Sequence, residues 1–348
     1  MRERLYDHIL GSLVTAAIGD AMGAATEQRS TREIVADFGG LVRSFYKPPM
    51  DTFAAGNEAG EVTDDASQMF ALARVIIETD GHLSGQAWVD ALVHWAETSK
   101  MARMMGPTTR PTVEALRAGG DPCKVGAIVG SDRQTSRVGT SNGAAMRIAP
   151  VGLIHPGDPA GACQDALITC LPTHNTQIAI AGACAIAAGV AEAVTEGADV
   201  FSVVKACLEG ARRGEELGVR EGRFVAGPSV AARIEWAVSL ALRAKTLEEA
   251  MSSLEAYIGN SVYAADSVPT AIGLFVFAEG DPLQSIVGGT NIGNDTDTIA
   301  AMAGSLAGAL KGFSQVPQGL YDALKKANDA DIEALAHGLT EIAVRRIA

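Results

Sequence analysis

The chain has 348 residues, 47% hydrophobic but only 5% aromatic, so it can bury a large core built mostly from Ala, Leu, Ile and Val. This argues against global disorder and for a compact all-α protein, since alanine is the best helix former. A formal net charge of -13, from 41 acidic and 28 basic residues, excludes the positive footprint that a nucleic-acid binder needs.

The N-terminus, M-R-E-R-L-Y-D-H-I-L, is charged and lacks the apolar stretch of a signal peptide. A first helix is expected over residues 4 to 18, ending at Gly19-Asp20; the G-x-x-x-G spacing to Gly23 follows no strand, so it is no dinucleotide fingerprint. Arg29 to Gly60 is rich in Gly, Pro and polar residues and reads as mostly irregular. Thr63 is a plausible N-cap for D-D-A-S-Q-M-F-A-L-A-R-V-I-I-E, which places Asp64 and Asp65 in a first helical turn. A helix over Gly85 to Thr98 follows, then a break at P-T-T-R-P, a short helix over 112 to 119, and a polar loop from Gly120 to Val138.

The chain then enters T-S-N-G-A-A-M-R-I-A-P-V-G-L, Thr140 to Leu153. Pro172-Thr173-His174-Asn175 opens an alanine-rich helix around 178 to 195. Its longest apolar run, Ile178 to Ala191, falls short of the ~18 residues of a membrane span. Further helices are expected near 199 to 213, 229 to 242 and 246 to 257, around Pro269 up to Phe277, from Asp297 to about Leu310, and from Asp329 to Ile347. Gly304 and Gly308 read as close helix contacts, and no stretch alternates convincingly as a strand. The five cysteines, Cys123, Cys163, Cys170, Cys184 and Cys207, form no C-x-x-C pair and read as reduced, buried thiols. A cytoplasmic protein with no membrane partner is the expectation.

Two acidic clusters stand before apolar helices: E-V-T-D-D-A-S, Glu61 to Ser67, and N-D-T-D-T, Asn294 to Thr298. One reading is dipole capping, because carboxylates are stabilised by the unpaired N–H groups of a first turn. The other is a metal site. Asp295 and Asp297 are two apart and cannot share one helical face, hydroxyls stand beside the carboxylates, and the following helices are nearly uncharged and therefore central. Carboxylates gathered in such a place repel unless a cation neutralises them. The donor set is all oxygen, which suits Mg²⁺ or Mn²⁺, and four aspartates can bridge two ions.

Four stretches in order, G-D-A-M-G-A-A-T-E (Gly19 to Glu27), T-D-D (Thr63 to Asp65), S-N-G-A-A-M-R (Ser141 to Arg147) and N-D-T-D-T-I-A (Asn294 to Ala300), resemble the ADP-ribosylglycohydrolase family. The resemblance implies one domain over 1–348, an orthogonal all-α bundle, and two central divalent cations, Mg²⁺ or Mn²⁺. It implies metal ligands Thr63, Asp64, Asp65, Asp295, Asp297 and Thr298, and Glu27 as a contact of the metal centre or substrate; the chemistry makes Glu27 and Asp65 the candidate catalytic carboxylates, as base or to position the attacking water. Asn142 and Gly143 would line the ribose and phosphate pocket. Arg147 is a phosphate contact or a salt-bridge partner, and His174 is either a helix-cap neighbour or a pocket residue. The implied substrate is an ADP-ribosylated protein or a small ribosylated molecule, cleaved at the anomeric carbon. The chain departs from the family pattern at Ala66, where a threonine is usual, and at Asn294, where glycine or aspartate is frequent. Two rival readings stand beside this one: a metallohydrolase acting on another small riboside or a phosphoester, and a non-catalytic binding protein whose acidic clusters merely cap helices.

Overall fold

The computed structural model describes residues 1–121 and 138–347; Cys123 and most of the loop expected from Gly120 to Val138 lie outside them. The described residues form sixteen α-helices and no strand beyond two isolated bridges, Ser141 with Tyr263 and Thr176 with Arg223. The helices are α1 (Arg2–Gly23), α2 (Thr31–Phe38), α3 (Asp64–Glu78), α4 (Gly85–Thr98), α5 (Thr109–Arg117), α6 (Ala149–Leu153), α7 (Pro159–Cys170) and α8 (Gln177–Ala193). They continue as α9 (Val200–Glu221), α10 (Val230–Arg243), α11 (Leu247–Tyr257), α12 (Ala264–Phe277), α13 (Pro282–Asn291), α14 (Thr296–Lys311), α15 (Gln318–Ala327) and α16 (Ile332–Ile347). No helix among the described residues is long and apolar enough to cross a membrane.

The expectation of a compact all-α protein holds, with α8 and α14 at its centre. Every residue of α8 from Gln177 to Ala191 is buried, as is every residue of α14 from Thr296 to Leu310. Small side chains make this burial workable, because they let backbones approach. α1 lies along α14, and a Cβ at Gly19 would overlap the carbonyl of Ala300. That contact corrects the first helix: it does not stop at Gly19-Asp20 but runs on to Gly23. The glycines serve close packing there, not a turn.

Other boundaries shift for local reasons. The stretch after Arg29 holds α2, fixed by a capping box in which Ser30 accepts from the backbone of Glu33 and the Glu33 carboxylate accepts from Ser30. Helices α7 and α13 each start on an aspartate cap followed by proline, Asp158-Pro159 and Asp281-Pro282. Pro269 sits inside α12, and the carbonyl of Ala265 that it leaves without an intrahelical donor accepts from Nη1 of Arg233 at 3.1 Å. Cys163, Cys170, Cys184 and Cys207 are free and buried, as expected.

Candidate metal centre

Three helix ends and one turn meet where the acidic clusters lie. The C-terminal end of α1 abuts the start of α14 so closely that a Cβ at Gly23 would overlap the Asp297 backbone. Beyond α1 the chain is held to the loop before α14 by paired backbone bonds: Gln28 N–H donates to Asn294 C=O at 2.7 Å, and Asn294 N–H donates to Arg29 C=O at 2.8 Å. Gln28 (φ 63°) and Asn294 (φ 61°) both take the left-handed conformation this exchange requires. The departure at Asn294 thus has a backbone meaning, since Asn tolerates that region. The result sets Glu27 beside α14: one carboxylate oxygen each from Glu27, Asp295 and Asp297 lie within 4.8 Å of one another.

The start of α3 is docked onto α1 by Asp20. Its Oδ2 accepts from Thr63 N–H at 2.9 Å and from Ala66 N–H at 3.0 Å, and its Oδ1 accepts from the Thr63 hydroxyl at 2.6 Å. Thr63 caps α3 as expected, accepting from Asp65 N–H at 3.3 Å. Its hydroxyl proton goes to Asp20. The turn Asn142–Ala144 closes the ring, with Asn142 Nδ2 donating to Asp295 Oδ2 and to Ser267 Oγ.

These residues border a cavity of about 480 Å³ whose walls include Glu27, Asp64, Asp65, Asn142, Gly143, Asp295, Asp297 and Thr298. On its rim are Phe53, Arg103, Met104, Met105 and Arg110. A larger cleft of about 850 Å³ runs beside α3 and α4, but it gathers no comparable acid cluster. Chemistry, not volume, marks the smaller one.

The electrostatics are severe. Burial, then the Asp297 charge, pushes Asp20 up to about 7 and Asp295 up to about 8. Asp64 and Asp65 are raised well above the ordinary carboxylate range by burial and then by Asp297. Burial raises Asp297 to about 6, and burial followed by the Asp297, Asp295, Asp64 and Asp20 charges raises Glu27 to about 11. In addition, Asp65 Oδ2 is buried without a hydrogen-bond partner. A buried acceptor with no donor, inside a group of mutually repelling carboxylates, fits a cation. The donors are all oxygens, as a hard divalent ion prefers.

Arg147 and His174 stand elsewhere. Both are fully buried behind the cavity wall and do not line it. Ala66 is also buried outside the wall, its backbone bonded to Asp20. Sequence reasoning passed over Asp20, although a lone charge inside the apolar run I-G-D-A-M-G was a usable signal. It also missed the rim arginines, which carry no such signal.

A family model described as ADP-ribosylglycohydrolase matches residues 1–347 of the chain. Uncharacterized protein YegU of Escherichia coli (strain K12) is 30% identical over 345 residues, covering 98% of this chain and 99% of its own. An uncharacterized protein of Archaeoglobus fulgidus is 32% identical over 346 residues, 99% of this chain and 98% of its own. Human ADP-ribosylhydrolase ARH3 is 26% identical over 375 residues, covering 95% and 93%. A solved structure titled "ADP-ribosylglycohydrolase-related protein complex" superposes with a TM-score of 0.67 at 22% identity, covering 98% of this chain and 99% of that one; this bears on the fold alone.

Proposed function

The chain belongs to the ADP-ribosylglycohydrolase family and so to a class of hydrolases, and on that premise we propose that it cleaves the glycosidic bond between ADP-ribose and a protein side chain or small acceptor. The observation that carries this reading is the convergence of Glu27, Asp64, Asp65, Asp295 and Asp297 on one cavity. In this reading Asp64, Asp65, Asp295 and Asp297, with Thr63 and Thr298, hold two divalent cations, Mg²⁺ or Mn²⁺. When bound, such ions neutralise the acids, grip vicinal hydroxyls and lower the pKa of water.

The chain's own groups do the rest. Asn142 fixes the rotamer of Asp295. Glu27 and Asp65 are the candidate carboxylates for moving a proton: both stand on the cavity wall beside the other acids, where either can act as base toward water or position it. Gly143 brings backbone to the wall with no side chain in the way, His174 Nε2 lying directly behind it. At the rim, Arg103 is held by neutral acceptors, Nη2 donating to Asn57 Oδ1 at 2.7 Å and Nη1 to Phe53 C=O at 3.3 Å. Arg110 Nη2 donates to Arg103 C=O at 2.7 Å. Two guanidiniums bonded to neutral groups opposite an acidic floor suit a substrate with a diol at one end and a phosphate at the other.

The rim arginines also suit a phosphoester, so product identity decides. The protein should be incubated with Mn²⁺ or Mg²⁺ and, separately, ADP-ribosyl-arginine, ADP-ribosyl-serine, simple ribosides and phosphoesters. Release of ADP-ribose is expected. Release of inorganic phosphate alone would replace this reading with a phosphoesterase.

A further inference from the structure

Arg147 is 0% exposed, yet no carboxylate lies in contact with it among the described residues. Its guanidinium sits over the Trp88 ring, 4.8 Å from the centroid, and spends its two terminal nitrogens on neutral oxygens. Nη1 donates to Gln68 Oε1 at 2.8 Å and Nη2 donates to Thr173 Oγ1 at 2.9 Å. Burying a cation this way is costly, so the arrangement needs a reason.

The reason emerges when the bonds are followed outward. Arginine has donors and no acceptor. Gln68 must therefore turn its carbonyl to Arg147, which leaves its NH₂ to donate to Asp64 Oδ2 at 3.0 Å. In the other direction Thr173 Oγ1 accepts from Arg147 and lies 2.8 Å from His174 Nδ1. Ser141 Oγ gives its hydrogen to Thr108, so at 3.1 Å it accepts from His174 Nε2–H; burial and the nearby Arg147 charge keep the ring neutral, which leaves Nδ1 to accept the Thr173 hydrogen. Ser141 in turn donates to Thr108 Oγ1 at 2.9 Å and lines the cavity.

We propose that Arg147 is the hub of a buried hydrogen-bond chain, Asp64–Gln68–Arg147–Thr173–His174–Ser141, that orients Asp64 at one end and the cavity-wall hydroxyl of Ser141 at the other. Gln68, Arg147 and His174 are then positioning residues that touch neither substrate nor ion. The Asp64 end rests on the reading of Asp64 as a cation ligand; the His174 end does not.

The test uses the full chain and Mn²⁺ alone as probe. In Gln68→Met, which deletes the donor to Asp64, Mn²⁺ binding should weaken roughly 10–100-fold, as for other groups that orient a ligand. Gln68→Glu separates positioning from packing. Its carboxylate can accept from Arg147 but sets another acidic group against Asp64 where the amide donor stood, so helix content should match the parent while Mn²⁺ affinity falls at least tenfold. Mn²⁺ affinity within twofold of the parent in both variants would overturn the Asp64 end. Long-range ¹⁵N spectra should show parent His174 neutral with its proton on Nε2, and a mixture of tautomers in Arg147→Lys. A parent His174 protonated on Nδ1 would overturn the His174 end. A parent that takes up no Mn²⁺ would overturn the cation reading and the Asp64 end with it, leaving the tautomer to decide the rest.

Discussion

Asn142 and Asp295, 153 positions apart in the chain, are joined by a side-chain hydrogen bond of 2.5 Å, Nδ2 donating to Oδ2. The same nitrogen reaches Ser267 Oγ at 2.9 Å, so the amide is held from two helices. Asn142→Asp replaces that donor with another carboxylate against Asp295. Mn²⁺ affinity and turnover should each fall by roughly 100-fold, and in Asn142→Ala by about tenfold. Titrating Mn²⁺ and then measuring ADP-ribose release at saturation separates the two effects.

Asp64→Ala and Asp295→Ala should lose nearly all turnover, at least ~100-fold, while folding normally. Removing either also removes a charge that its neighbours resist. The metal-free melting temperature should therefore hold or rise, and the increase on adding Mn²⁺ should shrink. Full turnover in both variants would contradict metal-dependent catalysis.

Metal-free stability should depend on pH in an unusual direction. Asp297, Asp20 and Asp295 titrate at about 6, 7 and 8 in the folded chain, above the ordinary 3.8, because they are buried together. The folded state thus binds protons more tightly than the unfolded one. The stabilisation from this is complete below pH ~4, falls as pH rises above it and is gone once pH has passed the folded values of about 6, 7 and 8. The melting temperature in chelator should drop by roughly 5 °C or more across that window. Mn²⁺ should cancel most of the drop.

Arg103→Ala and Arg110→Ala act on the rim, away from the acids. For a phosphate-bearing substrate each should raise KM by about tenfold with little change in kcat, and the effect should fade at high salt. A riboside without phosphate should be indifferent to both.

Asn294 offers a test of backbone geometry. With φ at 61°, Asn294→Gly should be neutral, whereas Asn294→Val should cost about 1–2 kcal/mol and disturb the placement of Glu27. Denaturant unfolding of the two variants checks this.

Much of the fold was legible because its longer helices carry apolar residues at helical spacing: α4 and α8 fall almost where periodicity puts them. α2, α6, α7, α13 and α15 were not read, since each is short: α2 buries only Ile34 and α15 only Tyr321 and Leu324, while α7 and α13 are marked chiefly by an aspartate cap and a proline. The acids were legible from their crowding at helix starts. Their supports were not. Asp20, Gln68 and Ser141 acquire their meaning from partners 43 to 46, 79 and 33 positions away, respectively, and no local pattern announces such pairings. Arg147 shows the same limit from the other side: its motif is visible, but whether a guanidinium faces a cavity or a tryptophan is decided by packing.

The seating of α1 along α14 has a consequence for how the molecule is made. α1 leaves the ribosome ahead of its partner, which begins at Thr296. At about 5–20 residues per second, the ~270–280 residues between the two helices take on the order of 15–60 s to synthesise. Through that interval the nascent chain carries an apolar helix with its final neighbour still unmade, together with Asp64 and Asp65 but neither Asp295 nor Asp297. A chain released before Asp297 therefore cannot assemble the full acid cluster.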